Sequence, residues 1–298
     1  MSLSGNLRKL KHGLDNRSNV RYRFSLVDSK FASLQTEAKN PNKEDYLFET
    51  DLNDFLGKKI KIEYQDQINC ISCGRKTNKS FNQGFCYPCL NSEAQCDVCI
   101  IKPELCHFDQ GTCRDNDFAR EYCNINHSIY LSLTSGLKIG ITRQNQEKSR
   151  WIDQGAVQAI RIATTNRRYH AGLIEKELAK GMADKTNWRM MLKNEYPDVN
   201  LKEEKASVLE ILIDNLEKNN HGQDFTYIYD NISKDESQKI VTINYPVLEY
   251  PKKIVSFNLD KDPLVEGTLM GIKGQYLILD TGVINLRKYA GYLLEFNY

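Results

Sequence analysis

The stretch SIYLSLTSGLKIGITRQNQEKSRW, residues 128–151, decides how the middle of the chain is read. Two β-like runs, "IYLSL" and "LKIGIT", flank Thr134-Ser135-Gly136. Short apolar runs on either side of such a turn predict a hairpin. The second run, Leu137 to Thr142, stops abruptly and a polar segment follows. Gln146 to Gln154 reads as a short helix, with Gly155 as its stop. That helix carries Arg150 and Trp151 near its end.

Working outward, "VQAIRIAT" is a strand candidate. "YHAGLIEKELAKGM" predicts a helix with Ala171, Ile174, Leu178 and Met182 on one face. Glu175 is bordered by Ala171, Gly172, Leu178 and Ala179 at three- and four-residue spacing, so it is expected at the edge of that buried face. Glu177 is expected to point away from the edge, into solvent.

Phosphodiester cleavage needs few parts. A carboxylate-held divalent ion stabilises charge on the phosphate. An arginine offers a planar fork to its oxygens. A base or positioned hydroxyl activates the water. Glu175, Arg150 and Tyr130 are residue types suited to these roles, and Mg2+ or Mn2+ at Glu175 is the implied ion. The plainer alternative is a surface glutamate, a salt-bridged arginine and a core tyrosine.

All nine cysteines lie between Cys70 and Cys123. Such a compact block in a cytosolic-looking chain reads as metal binding rather than as a disulfide scaffold. Cys70, Cys73, Cys86 and Cys89 form C-x2-C-x12-C-x2-C. Two such turns aim four thiolates at one ion, which predicts a closed, structural zinc site. Arg75, Lys76 and Lys79 sit on the intervening loop and read as solvated. Cys96, Cys99, Cys106, Cys113 and Cys123 remain, with His107 and His127 nearby. They suffice for a second zinc site, but spacing does not choose among them. Buried thiols packing as small hydrophobes are the alternative.

The hairpin and its sequel resemble the GIY-YIG nuclease core. Ser128-Ile129-Tyr130 lies at the first tripeptide of that superfamily and Lys138-Ile139-Gly140 at the second. Its helix arginine and later helix glutamate map onto Arg150 and Glu175, over residues 127–183. The tyrosine of the second tripeptide is Lys138 here, which removes one polar group from around the attacking water and supplies a point charge for phosphate. A wider resemblance rests on "CISCGRK", "GFCYPC", "PELCHFDQGTCRD", "KIGITR", "RWIDQGA" and "DKTNWRMML". Together these resemble the uncharacterised prokaryotic domain-of-unknown-function family 2797. That resemblance implies that the second cluster uses the "PELCH…GTCR" segment, which favours Cys99, Cys106, Cys113 and Cys123.

Other stretches offer nucleic-acid contacts. Trp151 or Trp188 is suited to stacking on a base, with Arg143, Lys185 and Arg189 on phosphates. Asp184 or Thr186 is a candidate cap for the helix that follows. The net charge of the 298-residue chain is only +2, so nucleic-acid binding would rest on local patches rather than a global field. Hydrophobic residues make up 40% and charged ones 27%, with no apolar run of spanning length, so no membrane partner is expected. Met1 to Asp15 has no apolar signal core, which predicts a cytoplasmic protein.

The expected fold is therefore α+β and multidomain. A β-rich segment (1–65) leads into a zinc-ribbon-like cysteine module (66–126) and a GIY-YIG-like α/β domain (127–198). An amphipathic helix (199–223) and a small antiparallel β domain (224–298) complete it, the last sharing a sheet with the N-terminal strands. The expected function is nucleic-acid processing, as a divalent-metal-dependent endonuclease with structural zinc. The alternatives are a zinc-containing binding module without cleavage, and a protein-interaction adaptor.

Overall fold

The computed structural model describes residues 2–29, 47–180, 187–219 and 239–298, with side chains of the 201–219 helix described to residue 214. The fold is α+β, with two antiparallel sheets. The chain divides into two compact units, Met1–Ser92 with Asn244–Tyr298, and Glu93–Ile243. The first boundary thus falls inside the cysteine block. No helix among the described residues is long and apolar enough to cross a membrane.

The first unit holds a ten-stranded sheet. Strand β1 (Ser2–Leu7) is flanked by β14 (Tyr292–Asn297) and β3 (Val20–Val27). β14 also pairs with β5 (Lys59–Asn69), and β5 with β11 (Leu264–Lys273). The N-terminal and C-terminal strands are therefore one sheet, because β1 and β5 find their partners at the far end of the chain. The period of two explains which side chains go inward. Val20, Tyr22 and Phe24 of β3 are buried, as are Tyr292, Leu294 and Phe296 of β14. Phe24 and Phe296 meet with ring centroids 4.6 Å apart. Residues 224–238 of the expected C-terminal domain lie outside the described residues.

The second unit is built on a four-stranded sheet. β7 (His127–Leu133) and β8 (Leu137–Arg143) form a hairpin across the predicted turn. β9 (Gln158–Thr165) pairs with the other side of β7. Between the hairpin and β9 runs helix α1 (Glu147–Asp153), ended by Gly155 with φ of +74°. Helix α2 (Arg168–Ala179) follows β9, then α3 (Trp188–Lys193) and α4 (Leu201–Asn219).

The hairpin has two distinct faces. Ile129, Leu131, Ile139 and Ile141 pack with Ala171, Ile174 and Leu178 of α2 and with Leu201, Val208 and Leu212 of α4. Met182, expected on the same α2 face, lies outside the described residues. The opposite face carries Ser128, Tyr130, Ser132, Lys138, Gly140 and Thr142, because directly paired residues share a face. The apolar face anchors the sheet, and the polar face is left for the site.

Two expectations about local structure are corrected. The cap of α3 is Asn187, whose side chain accepts from the backbone of Arg189 and Met190. The expected caps Asp184 and Thr186, with Lys185, lie outside the described residues. Glu177 is buried rather than solvated, with Lys180 Nζ 2.6 Å from its carboxylate. A lysine one turn on supplies the counter-charge that burial of a carboxylate demands.

Candidate functional site

Tyr130 occupies the centre of the polar face. Its neighbours across the strands are Gly140 on β8 and Arg161 on β9. Only a residue without a side chain leaves room for the ring: a Cβ on Gly140 would sit 2.5 Å from Tyr130 Oη. The phenol is fully buried and donates to Gln154 Oε1 at 3.0 Å.

The charges around this phenol identify what else has come together. Burial pushes the Tyr130 pKa up, the charge and hydrogen bonding of Arg150 pull it down, and the Glu175 carboxylate pushes it up. Tyr130, Arg150 and Glu175 thus share one electrostatic neighbourhood, although they come from a strand and two helices. The net direction is upward, so Tyr130 is a neutral hydrogen-bond donor near neutral pH and not a base. Lys138 lies on the same face, opposite Ser132 and one inward-facing position from Gly140.

Arg168 joins this set, and residue types had not singled it out. It opens α2, seven positions before Glu175, so both lie on one side of the helix. Burial lowers its pKa; the negative charges of Cys123, Glu175 and Cys99 oppose that, and Arg150 reinforces it. Its Nη2 donates to the Ile100 carbonyl at 2.5 Å. The segment Pro103–Leu105 docks on the same helix at Gly172, where an added Cβ would meet the Pro103 side chain at 2.5 Å. The Pro-Glu-Leu turn and the Glu175 helix are therefore in direct contact. The i, i+7 spacing of Arg168 and Glu175 was the available sequence signal.

The proposed stacking residues fare differently. Trp151 is 3% exposed and packs edge-on against Tyr130 at 5.9 Å, so it is a core residue and not a platform for a base. Being one residue after Arg150, it points about 100° away around the helix, into the sheet. Trp188 is half-buried, with the Arg189 guanidinium 4.4 Å above its ring. The Arg143 guanidinium lies 4.7 Å above the Tyr122 ring.

In the first unit, the sulfurs of Cys70, Cys73, Cys86 and Cys89 all lie within 4.8 Å of one another. Cys73 Sγ and Cys86 Sγ are 3.7 Å apart. A tetrahedral ion with bonds of about 2.3 Å places its sulfurs about 3.8 Å apart. The two knuckles are shaped by backbone bonds from Gly74 to the Cys70 carbonyl and from Cys86 N to Cys70 Sγ. Burial raises the Cys89 and Cys86 thiols. Burial would raise Cys73 too, but the Arg75 backbone N–H and its sibling thiols bring it down to about 7. Four such thiolates coexist only around a cation, and this set can hold a structural zinc ion.

The remaining cysteines do not form an equivalent cage. Among the described residues, no three of Cys99, Cys106, Cys113 and Cys123 have sulfurs mutually within 4.8 Å. They are nonetheless neighbours: after burial and Asp97, the charges of Cys106, Cys123 and Cys113 raise the Cys99 thiol, to about 12. The close companions of Cys99 are Asp97 and His107.

No curated protein and no solved structure matches the chain. A family model described as "Protein of unknown function (DUF2797)" matches residues 57–294, and over that span, which takes in the four-cysteine site and the whole Tyr130 neighbourhood, the chain belongs to this family.

Proposed function

We propose that the protein processes nucleic acid, as a divalent-metal-dependent endonuclease resembling the GIY-YIG enzymes and braced by structural zinc. One observation carries this reading: Arg150 and Glu175, far apart in sequence, both act on the buried Tyr130 phenol beside Gly140. The reading places it in the cytoplasm, where its nine free thiols stay reduced.

Each residue then has a task. Arg150 presents its fork to the scissile phosphate and meets charge as it builds on the oxygens. Tyr130, buried and neutral, holds Arg150 in place and is a positioning residue. Arg168 neutralises part of the Glu175 charge. Among the described residues Glu175 belongs to no group of three or more His, Cys, Asp or Glu side chains that could hold an ion without substrate. That suits Mg2+, which keeps most of its waters and takes one or two carboxylates plus substrate phosphate. Such an ion, when bound, supplies Lewis-acid stabilisation of the phosphate.

Lys138 favours a second reading. It stands on the site face where the GIY-YIG pattern has a tyrosine, and it offers phosphate a charge without offering water a hydroxyl. A domain so altered binds nucleic acid and does not cut it.

The test is a cleavage assay on mixed DNA and RNA with Mg2+ or Mn2+, beside Glu175→Ala. Under the first reading Glu175→Ala abolishes cleavage and leaves binding, which weakens steeply with salt in both proteins. Binding without metal-promoted cleavage selects the second. Neither binding nor cleavage at low salt, with zinc-loaded protein, removes both and leaves a protein-interaction adaptor.

A further inference from the structure

We infer that Asp97, Cys99 and His107 hold a second metal ion, a zinc site of mixed oxygen, sulfur and nitrogen ligands in the Glu93–Ile243 unit. The site begins with a helix cap. Asp97 caps the short helix Val98–Ile101, its Oδ1 accepting from Cys99 N at 3.4 Å. The same residue faces His107 Nε2 through Oδ2, at 3.4 Å. The candidate ligand atoms of all three residues lie within 4.8 Å of one another.

The proton positions around His107 make this arrangement informative. Thr112 Oγ1 lies 2.8 Å from His107 Nδ1 and 3.4 Å from the His107 carbonyl. With the ring proton on Nδ1, donated to Thr112, His107 Nε2 carries a lone pair that faces the Asp97 carboxylate. Two such acceptors, with the Cys99 sulfur beside them, offer a cation its ligands.

A second ring proton would serve, but the distance argues otherwise. An N–H···O bond brings its heavy atoms to about 2.7–3.2 Å. A tetrahedral ion with bonds of about 2.0–2.1 Å holds two ligands about 3.3–3.4 Å apart. The observed 3.4 Å fits the ion. The surroundings also fit. Metal-bound histidines donate their other ring N–H to a fixed acceptor, here Thr112. Arg114 Nε holds Asp97 Oδ2 at 2.8 Å and fixes the carboxylate's orientation. One thiolate, one imidazole and one carboxylate suit zinc.

The experiment measures metal in the full-length protein. Elemental analysis should find two zinc ions per chain in the wild type, and one in Cys99→Ser and in His107→Ala. Thr112→Val, which removes no ligand, should weaken the more labile zinc roughly 10–100-fold in competition with a chromophoric chelator. X-ray absorption of the two-zinc wild type should show nitrogen or oxygen beside sulfur. One zinc in the wild type overturns the proposal and leaves an Asp97–His107 ion pair. So does sulfur-only coordination, which would place the second ion among the cysteines. Two zinc ions retained in both variants overturns it as well. If the variants do not fold, the wild-type metal count and absorption spectrum decide alone.

Discussion

The Tyr130 ring lies directly against the backbone of Gly140, its cross-strand partner, at a distance that excludes any side chain on the glycine. The hairpin therefore does two things at once. Its alternation sends Ile129, Leu131, Ile139 and Ile141 into the core, and the glycine opposite Tyr130 leaves room for the phenol that donates to Gln154.

Gly140→Ala tests that contact. The added methyl would meet Tyr130 Oη at 2.5 Å and Cζ at 2.7 Å, so the ring must move. Overpacking of this kind costs about 1–3 kcal/mol. The loss should shrink when Tyr130→Leu is already present, giving a clear interaction energy in a double-mutant cycle read by denaturant unfolding. Additive effects would mean that the ring and the glycine do not constrain each other.

The four-cysteine site predicts coupling of metal to folding. Stripping zinc with a chelator, or Cys73→Ser, should destroy the two knuckles around residues 70–89, because their thiolates repel without an ion. Loss of near-native proteolytic resistance in that segment, recovered on adding Zn2+ to the wild type only, is the expected outcome. Unchanged resistance after complete zinc removal would show that the segment folds without metal.

Much of this was legible because it is local. The C-x2-C pairs are turns that carry their own geometry, and all four of their cysteines converge. The period of two in "IYLSL" and "LKIGIT" assigned the core face of the hairpin, and Gly155 ends α1 where its φ of +74° is needed. What was not legible depends on distant chain. Arg168 acquires its role from the Ile100 carbonyl and the Cys123 charge, both distant in sequence, together with Glu175 two turns along its own helix. Glu177 is buried because Lys180 satisfies it and the helix packs on two sides. Cys99 has Asp97 and His107 as its close companions, with the other thiols farther off, because a helix cap and the Thr112 contact orient those side chains.

Trp151 separates a packing role from a binding role. It is buried against Tyr130, so Trp151→Ala should destabilise the protein by about 3–5 kcal/mol, as removal of a core aromatic does. Trp188→Ala, at a half-buried position under Arg189, should cost much less. Thermal unfolding of the two variants measures the difference. Equal and small losses would show that the Trp151 ring does not fill the space beside Tyr130.

His127 predicts the acid limb of stability. It is fully buried at the start of β7, and Nδ1 lies 2.7 Å from the Ile125 carbonyl, an acceptor. Nδ1 therefore keeps the ring proton, and Nε2 is buried with no hydrogen-bond partner among the described residues. Burial lowers its pKa to about 4; the Ile125 bond opposes this, and the charges of Arg168 and Arg143 reinforce it. An unfolded histidine titrates near 6.5, so between about 4 and 6.5 the unfolded chain binds the extra proton and the folded chain does not. Stability attributable to His127 is thus constant above about 6.5, falls as pH drops through this window, and is fully lost below about 4. A shift of this size corresponds to roughly 3 kcal/mol across the window. His127→Gln, which cannot take up a proton, should flatten the dependence between pH 6.5 and 4 in denaturant titrations while leaving the limb above pH 7 unchanged. An equally steep acid limb in the variant would assign it to other groups, such as the cysteine ligands, which release metal as they protonate.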